Sequence, residues 1–479
     1  MKNMTLTQIA AACSGQLIGC NIDIHKEAAG VVLDSRKVEK DYVFIATVGE
    51  QVDGHNYISA AFHQGALAVI CEKEPIEPEG GPYILVKDSF IALKDIARWY
   101  RQQLRIKVVG ITGSVGKTST KELISSVLAQ KYKVLKTEGN YNNEVGMPLT
   151  ILKIQDSHEI AVLEMGISDF GEMHRLSEIA KPDICVITNI GQCHLENLGS
   201  REGILKAKTE IFDFMQEDGF VCINGDDDML ATLKEIKGKA PVTFGISSIN
   251  NVFAENVITH GLFGSSCDIR ITPSNKVLKA KQPFGKVIPI NIPLPGEHMV
   301  LNALAAASVG TLLDMTSEEI AAGLKTVQSV GGRSNIIRHE QYTVIDDCYN
   351  ANPVSMKTAV ELLDMADTRK VAILGDMFEL GDTETLLHEK VGRYAANLNL
   401  QVLICVGKLS LSMFEGAAKT LEEFAASTKA NSSTSMQLYY YETREELLKA
   451  LPAIIKQNDT ILVKASHGMH FEEVVKALD

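Results

Sequence analysis

Lys107-Val108-Val109-Gly110-Ile111-Thr112-Gly113-Ser114-Val115-Gly116-Lys117-Thr118 is the stretch from which the rest of the chain can be read. Its first half is an apolar, β-branched run that predicts a buried strand; an amphipathic helical pattern follows from Ser119. Between them lies a glycine-rich turn. Gly113 and Gly116 let the main chain curl so that N–H groups face phosphate oxygens, Lys117 adds a point charge, and the helix start adds its positive dipole end. Thr118 would place its hydroxyl on Mg²⁺. Ile111 stands where the general G-x-x-x-x-G-K-[ST] pattern has its first glycine. The order strand, turn, helix nevertheless predicts a polyphosphate site spanning Gly113, Ser114, Val115, Gly116, Lys117, Thr118 and Ser119, and with it a nucleotide such as ATP.

Working outward, β-branched runs alternate with helical patterns in three successive stretches. The first, residues 1–86, offers strands at Tyr42–Ala46 and Ala68–Cys71 and ends in a Pro- and Gly-rich loop at Pro75–Pro82. The second, residues 87–332, opens with a helix at Asp88–Leu104 and offers strands at Lys107–Thr112, Lys133–Lys136, Ile160–Met165, Ile184–Thr188 and Val221–Asn224. Between Val252 and Pro295 the pattern changes to short strands and turns. The third, residues 333–479, offers strands at Thr343–Asp346, Val371–Leu374, Val402–Val406 and Ile461–Val463, with a Ser/Thr/Ala-rich loop at Ala426–Met436. Strands separated by helix-length segments imply parallel pairing. The expected class is therefore α/β with three domains: a small N-terminal α/β domain, a central phosphate-loop ATPase with a mainly parallel sheet, and a C-terminal Rossmann-like domain.

Composition excludes several classes of function. At 479 residues the chain exceeds what one hydrophobic core supports, and 45% apolar with 22% charged residues describes an ordinary folded protein. A formal charge of −13 would repel a nucleic-acid backbone, so no nucleic-acid partner is expected. The nine cysteines contain no C-x-x-C pair, which argues against a zinc ribbon or a dithiol redox motif. Leu17-Ile18-Gly19-Cys20 imitates the end of a lipoprotein signal, but Gln8, Ser14 and Gln16 interrupt the apolar run that such a signal needs. No stretch approaches the roughly 18 apolar residues of a membrane span, so no membrane insertion and a cytoplasmic location are expected.

Other residues gain meaning from the phosphate loop. Ile160-Ala161-Val162-Leu163-Glu164 is an apolar strand ending in a carboxylate, where a parallel sheet would present a metal ligand; capping of the strand end is the bland alternative. His194 follows the strand that leads through Thr188-Asn189-Ile190-Gly191-Gln192-Cys193. Lys206 and Lys208 by themselves read as a solvated helix face, and Asn302 sits in a helix of small residues, Leu301-Asn302-Ala303-Leu304-Ala305-Ala306. Asp346 and Asp347 end the first strand of the third domain.

Taken together these segments resemble the Mur ligases over nearly the whole chain. The motifs that carry the resemblance are Asp34-Ser35-Arg36, Gly110–Thr118, Gly139-Asn140-Tyr141-Asn142-Asn143, Glu164-Met165-Gly166, Lys206-Ala207-Lys208-Thr209-Glu210-Ile211-Phe212 and Gly332-Arg333. Asp346-Asp347-Cys348-Tyr349-Asn350-Ala351-Asn352-Pro353 and Gly375-Asp376-Met377-Phe378-Glu379-Leu380-Gly381 resemble the dipeptide-adding member in particular. The resemblance implies ATP-dependent joining of D-alanyl-D-alanine to UDP-N-acetylmuramoyl-tripeptide, with Mg²⁺, in peptidoglycan precursor synthesis. It implies that residues 1–86 hold the UDP sugar through Ser35 and Arg36, and that the C-terminal domain closes over the site. It further implies that Thr118, Glu164, His194 and a carbamylated Lys208 serve the metals, and that Asn302, Arg333 and Asp347 contact the nucleotide. Lys117, Glu164, His194, Lys208 and Arg333 become the expected catalytic set, with Asn140 and Asn143 as candidates for the peptide substrates. A carbamate is an anionic oxygen ligand of the kind Mg²⁺ prefers, whereas a free ammonium would be repelled.

Two departures from the family pattern stand out: Met299 follows His298 where asparagine is frequent, and Lys464-Ala465-Ser466-His467 replaces a common Lys-Gly-Ser-Arg run. A sibling ligase adding one amino acid is the nearest alternative. A nucleotide-gated binding protein using the loop as a switch is an alternative of another class, but it leaves Glu164, His194 and Lys208 without a shared purpose. Monomer is the default oligomeric state.

Overall fold

The computed structural model of the chain describes residues 1, 3–19, 23, 25–49, 52–75, 81–273, 276–281, 285–328, 331–427 and 436–479. Cys20 and most of the expected loops at Pro75–Pro82 and Ala426–Met436 lie outside the described residues. Two compact units are present, one made of Met1–Thr112, Lys131–Val186 and Lys208–Val221, the other of Gly113–Gln130, Ile187–Ala207 and Cys222–Asp479.

The first unit begins with a five-stranded sheet in the order Gln16–Ile18, Tyr83–Leu85, Ala68–Cys71, Tyr42–Ile45, Gly30–Val32. The first of these strands is antiparallel to its neighbour and the other four run parallel. Ala68–Cys71 is buried along its whole length, as a parallel strand covered on both faces must be. The expected helix follows as Ser89–Gln103, started by Asp88, whose carboxylate accepts from the Ile91 N–H at 2.8 Å. It buries Ala92, Leu93, Ile96, Ala97 and Tyr100, one stripe at helical spacing. Beyond it, Lys107–Thr112 pairs in parallel with Ile160–Glu164, which pairs in parallel with Val134–Lys136. The register sets Ile111 opposite Glu164, so the carboxylate stands at the carboxyl end of its strand.

Phe220–Asn224, Val242–Gly245 and Val252–Thr259 run parallel, and Ser265–Ile271 and Lys286–Ile292 then fold back antiparallel. This is the change of pattern expected after Val252. The six-stranded sheet that follows has the order Asn335–Arg338, Thr343–Asp346, Asp459–Lys464, Arg369–Gly375, Val402–Val406, Gln437–Tyr441. Only the first pairing is antiparallel. Alternate residues of one strand face opposite cores: Ala372 and Leu374 pack with Met356, Val391 and Met413, whereas Val371 and Ile373 pack with Leu447, Phe471 and Val474. Helices thus cover both faces, the doubly wound arrangement anticipated. Mainly parallel sheets with helical layers make the chain α/β throughout.

The eight described cysteines are buried thiols outside any disulfide. No helix among the described residues is long and apolar enough to cross a membrane.

Candidate functional site

In the second unit, two glycines shape the phosphate loop because no other residue fits. Gly113 has φ +149° and Gly116 φ +84°, both in the region L side chains rarely adopt. A Cβ on Gly113 would lie 1.9 Å from Thr188 Oγ1, and one on Gly116 would lie 3.2 Å from Asn302 Oδ1. Helix Lys117–Leu128 starts at Gly116 with no side-chain cap, so its first-turn N–H groups look outward, an anion-binding arrangement.

The loop is clamped by the segment after strand Ile184–Ile187. Thr188 Oγ1 and Asn189 Nδ2 donate to the Val115 carbonyl at 2.7 and 2.9 Å, and the Val115 N–H donates to Asn189 Oδ1 at 2.9 Å. The Ser114 N–H donates to the Asn189 carbonyl at 3.0 Å, and Ser114 Oγ accepts from the Gly191 N–H at 2.9 Å. The Ser114 and Val115 N–H groups are thus both engaged by Asn189. Lys117 Nζ folds back to donate to the Gly113 carbonyl at 2.8 Å. Thr118 is buried, and Asn302, also buried, accepts from Thr120 Oγ1 at 3.0 Å beside the loop.

Arg333 is set on a separate scaffold of the same unit. Gly332, at φ +74°, donates its N–H to Asp346 Oδ2 at 2.7 Å, and the Ser334 N–H donates to Asp347 Oδ1 at 2.8 Å. The two carboxylates therefore hold the turn on either side of Arg333. Asp347 Oδ2 is further paired with Lys464 Nζ at 2.6 Å, an ion pair with side chains only 3% and 14% exposed. The Arg333 guanidinium lies over the Tyr349 ring, 3.9 Å from its centroid, and Tyr349 in turn packs against His467. Arg333 and Ser119 line one pocket together with Leu294, Pro295, Met299 and Ser334. Met299 is thus placed on the pocket wall, and His467 in the stack that supports Arg333.

His194, at φ +51°, pairs through Nδ1 with Glu379 at 2.7 Å. The hydrogen bond from His194 holds the Glu379 carboxyl below its usual range.

In the first unit, Glu164 is 1% exposed and accepts from Asn142 Nδ2 at 2.9 Å. Its own N–H donates to Thr137 Oγ1 at 3.0 Å. Asn143 Oδ1 accepts from the N–H of Gly146, the first residue of helix Gly146–Leu152, at 2.8 Å, while Asn140 is exposed. The two lysines of the 206–212 run differ in a way their sequence does not announce. Lys206 is exposed, as a solvated helix face requires, whereas Lys208 is completely buried. A lysine out of water must be neutral, paired or chemically modified, so the solvated-face reading fails for Lys208. Arg36 is exposed and forms a two-pronged pair with Asp34, Nε to Oδ1 at 2.9 Å and Nη2 to Oδ2 at 2.8 Å, at the start of the turn Ser35–Lys37.

No three His, Cys, Asp or Glu side chains gather into a ready-made metal cage among the described residues. Mg²⁺ does not need one, since it binds through one or two protein oxygens completed by phosphates and water. A buried carboxylate held by an amide, as at Glu164, and a hydroxyl at the phosphate loop, as at Thr118, are donors of that kind.

Four residues that matter to this geometry escaped the reading of the sequence. Thr188 and Asn189 clamp the loop, Asn142 holds Glu164, and Glu379 holds His194. Each lies within a segment recognised for other residues. Asn142 was legible in principle, as the middle of three asparagines in Gly139–Asn143.

A glycine-shaped loop running into an uncapped helix start is a nucleotide-phosphate arrangement. The models for the Mur ligase family catalytic domain, the Mur ligase middle domain and the Mur ligase glutamate ligase domain match residues 27–109, 111–310 and 332–467. The chain belongs to the Mur ligase family, with its three-domain α/β architecture. Within the family it is similar to the UDP-N-acetylmuramoyl-tripeptide–D-alanyl-D-alanine ligase of Bacillus subtilis, 38% identical over 100% of this chain and 99% of that protein. Among solved structures it is similar to MurF from Acinetobacter baumannii, with TM-score 0.85, 30% identity, and 99% and 98% of the two chains covered. It also resembles MurF from Thermotoga maritima in complex with ADP, with TM-score 0.76, 28% identity, and 94% and 96% covered.

Proposed function

We propose that this chain joins D-alanyl-D-alanine to UDP-N-acetylmuramoyl-tripeptide at the expense of ATP, in peptidoglycan precursor synthesis. The observation that carries the reading is the phosphate loop, which two positive-φ glycines and the Asn189 clamp shape into the start of a helix. The full-length similarity to dipeptide-adding ligases supports the choice of substrates.

A carboxylate and an amine do not condense at neutral pH, so the terminal carboxylate of the tripeptide first takes the γ-phosphate of ATP. The amine of the dipeptide then attacks the acyl phosphate, and phosphate leaves through a tetrahedral intermediate. Lys117 and the helix start at Gly116 hold the phosphates, with Val115 and Ser119 flanking them; Arg333 faces the negative charge that develops during transfer. Asn302 lies against the loop and Asp347 sets Arg333, which is how each serves the nucleotide. Thr118, Glu164, His194 and a carbamylated Lys208 are the residues that would hold Mg²⁺, which when bound places positive charge on the transferring phosphoryl group. The complete burial of Lys208 supports a place for it in the site rather than on a solvated face. Ser35 and Arg36 would receive the UDP sugar, and Asn140 and Asn143 the peptide end.

In this reading residues 1–86 form the UDP-sugar domain, 87–332 the ATP domain and 333–479 the closing domain, and the protein acts as a cytoplasmic monomer. Purified protein given ATP, Mg²⁺, UDP-N-acetylmuramoyl-tripeptide and D-alanyl-D-alanine should release ADP and phosphate only with all substrates present. Release indifferent to the dipeptide contradicts the assignment, as does equal turnover with single amino acids, which would indicate the sibling activity. A stable nucleotide complex without turnover would indicate a switch. Lys208→Ala should abolish ligation with or without added bicarbonate; unchanged activity would remove Lys208 from the site.

A further inference from the structure

The contact between His194 and Glu379 has features that a casual surface ion pair lacks. Both residues sit in the left-handed region, at φ +51° and φ +62°, although neither is glycine. Such conformations are sustained at a small cost in energy and concentrate where geometry matters to function. The partners come from segments far apart in the chain, the loop after strand Ile184–Ile187 and the turn after strand Arg369–Gly375. Contacts flank the pair on both sides. The Cβ position of Gly381 lies 3.6 Å from Glu196 Cα, and that of Gly191 lies 3.7 Å from Val354 Cγ2.

The turn that carries Glu379 is itself braced. Its Met377 N–H donates to the buried His388 Nε2 at 2.9 Å, its Phe378 N–H donates to Ser466 Oγ at 2.9 Å, and Asp376 Oδ1 accepts from Ser410 Oγ at 2.7 Å. Glu379 is therefore presented by a rigid frame rather than by a loose loop. An imidazole whose Nδ1–H donates to a carboxylate is fixed as one tautomer, with its lone pair on Nε2. A histidine that serves a metal needs that state.

We propose that Glu379 is a positioning residue for ligation, which fixes His194 through Nδ1 so that Nε2 is the donor offered to the metal and ties that donor to the third domain. The inference rests on the reading of His194 as a metal residue given above. It assigns to the Gly375–Gly381 segment a task in the ATP half of the reaction.

The test is Mn²⁺ binding to the full chain with a non-hydrolysable ATP analogue, followed by electron paramagnetic resonance. Glu379→Ala should weaken Mn²⁺ binding by about tenfold to a hundredfold with its melting temperature unchanged. Glu379→Gln, which keeps an acceptor oxygen, should recover most of that loss. Added to His194→Ala, Glu379→Ala should bring no further loss. Native affinity or tighter binding in Glu379→Ala overturns the proposal, as does a further loss in the double variant. Should His194→Ala itself bind Mn²⁺ like the native chain, the metal reading of His194 falls and the proposal with it. Weakened binding in His194→Ala beside native binding in Glu379→Ala would instead sink the positioning role alone.

Discussion

Replacing Gly113 by alanine strikes the phosphate loop at its tightest point. At φ +149° an L side chain is strained by about 1–3 kcal/mol. The new Cβ would also lie 1.9 Å from Thr188 Oγ1, so Thr188 must turn away and give up its bond to the Val115 carbonyl. Losing that bond adds about 0.5–1.5 kcal/mol. The sum, about 1.5–4.5 kcal/mol, corresponds to roughly 10- to 2,000-fold weaker nucleotide binding if the native loop is needed to bind. Calorimetric titration with a non-hydrolysable ATP analogue measures it, with circular dichroism as a check on folding. Thr188→Ala alone should lose roughly tenfold at most. Because Gly113→Ala has already broken the Thr188 bond, the double variant should bind about as well as Gly113→Ala, a coupling of about 1 kcal/mol. Native affinity in Gly113→Ala, or fully additive losses in the double variant, would refute the clamp.

Two further outcomes test the scaffold around Arg333 and Glu379. Lys464→Met strands the Asp347 carboxylate in a mostly buried site, and removing one partner of such a pair should destabilise the third domain by about 3–5 kcal/mol; an unchanged urea midpoint would show the pair to be idle. His388 is fully buried, and burial lowers its pKa from the ordinary 6.5. Below pH 6.5 the unfolded chain takes up a proton that the folded chain refuses, so stability should fall as pH falls toward the lowered folded value. His298, also lowered by burial, acts with the same sign. His388→Gln should therefore flatten the slope of stability between pH 7.5 and about 5.5 without abolishing it, as read from urea midpoints; an identical slope would contradict the neutral buried state.

The frame of the molecule was legible because buried parallel strands are nearly pure apolar runs. Lys107–Thr112, Thr343–Asp346 and Val402–Val406 begin and end where their sequence says. The strands missed in the last sheet, Asn335–Arg338 and Gln437–Tyr441, lie at its two edges, where one-sided cover lets polar and aromatic residues in; Gln16–Ile18, Gly30–Val32, Tyr83–Leu85 and Val242–Gly245 were missed elsewhere. Helix Pro353–Asp364 was announced by Asn352-Pro353, whose asparagine accepts from the Ser355 N–H at 2.9 Å, a cap inside a motif recognised for its likeness to a family. Burial of a lysine is another matter. Lys206 and Lys208 look alike in sequence, and only packing separates the exposed one from the buried one. The same holds for amide clamps such as Asn142 and Asn189, which gain a role through partners more than 20 residues away.

Activation of the tripeptide carboxylate by ATP before the dipeptide attacks can be tested by labelling both oxygens of that carboxylate with ¹⁸O. Transfer of the γ-phosphate to one of them and its later departure as phosphate must carry one label into the released phosphate and leave the other in the new amide. One ¹⁸O per phosphate, dependent on D-alanyl-D-alanine, is the predicted result. Unlabelled phosphate formed alongside the dipeptide-linked product would rule out an acyl phosphate.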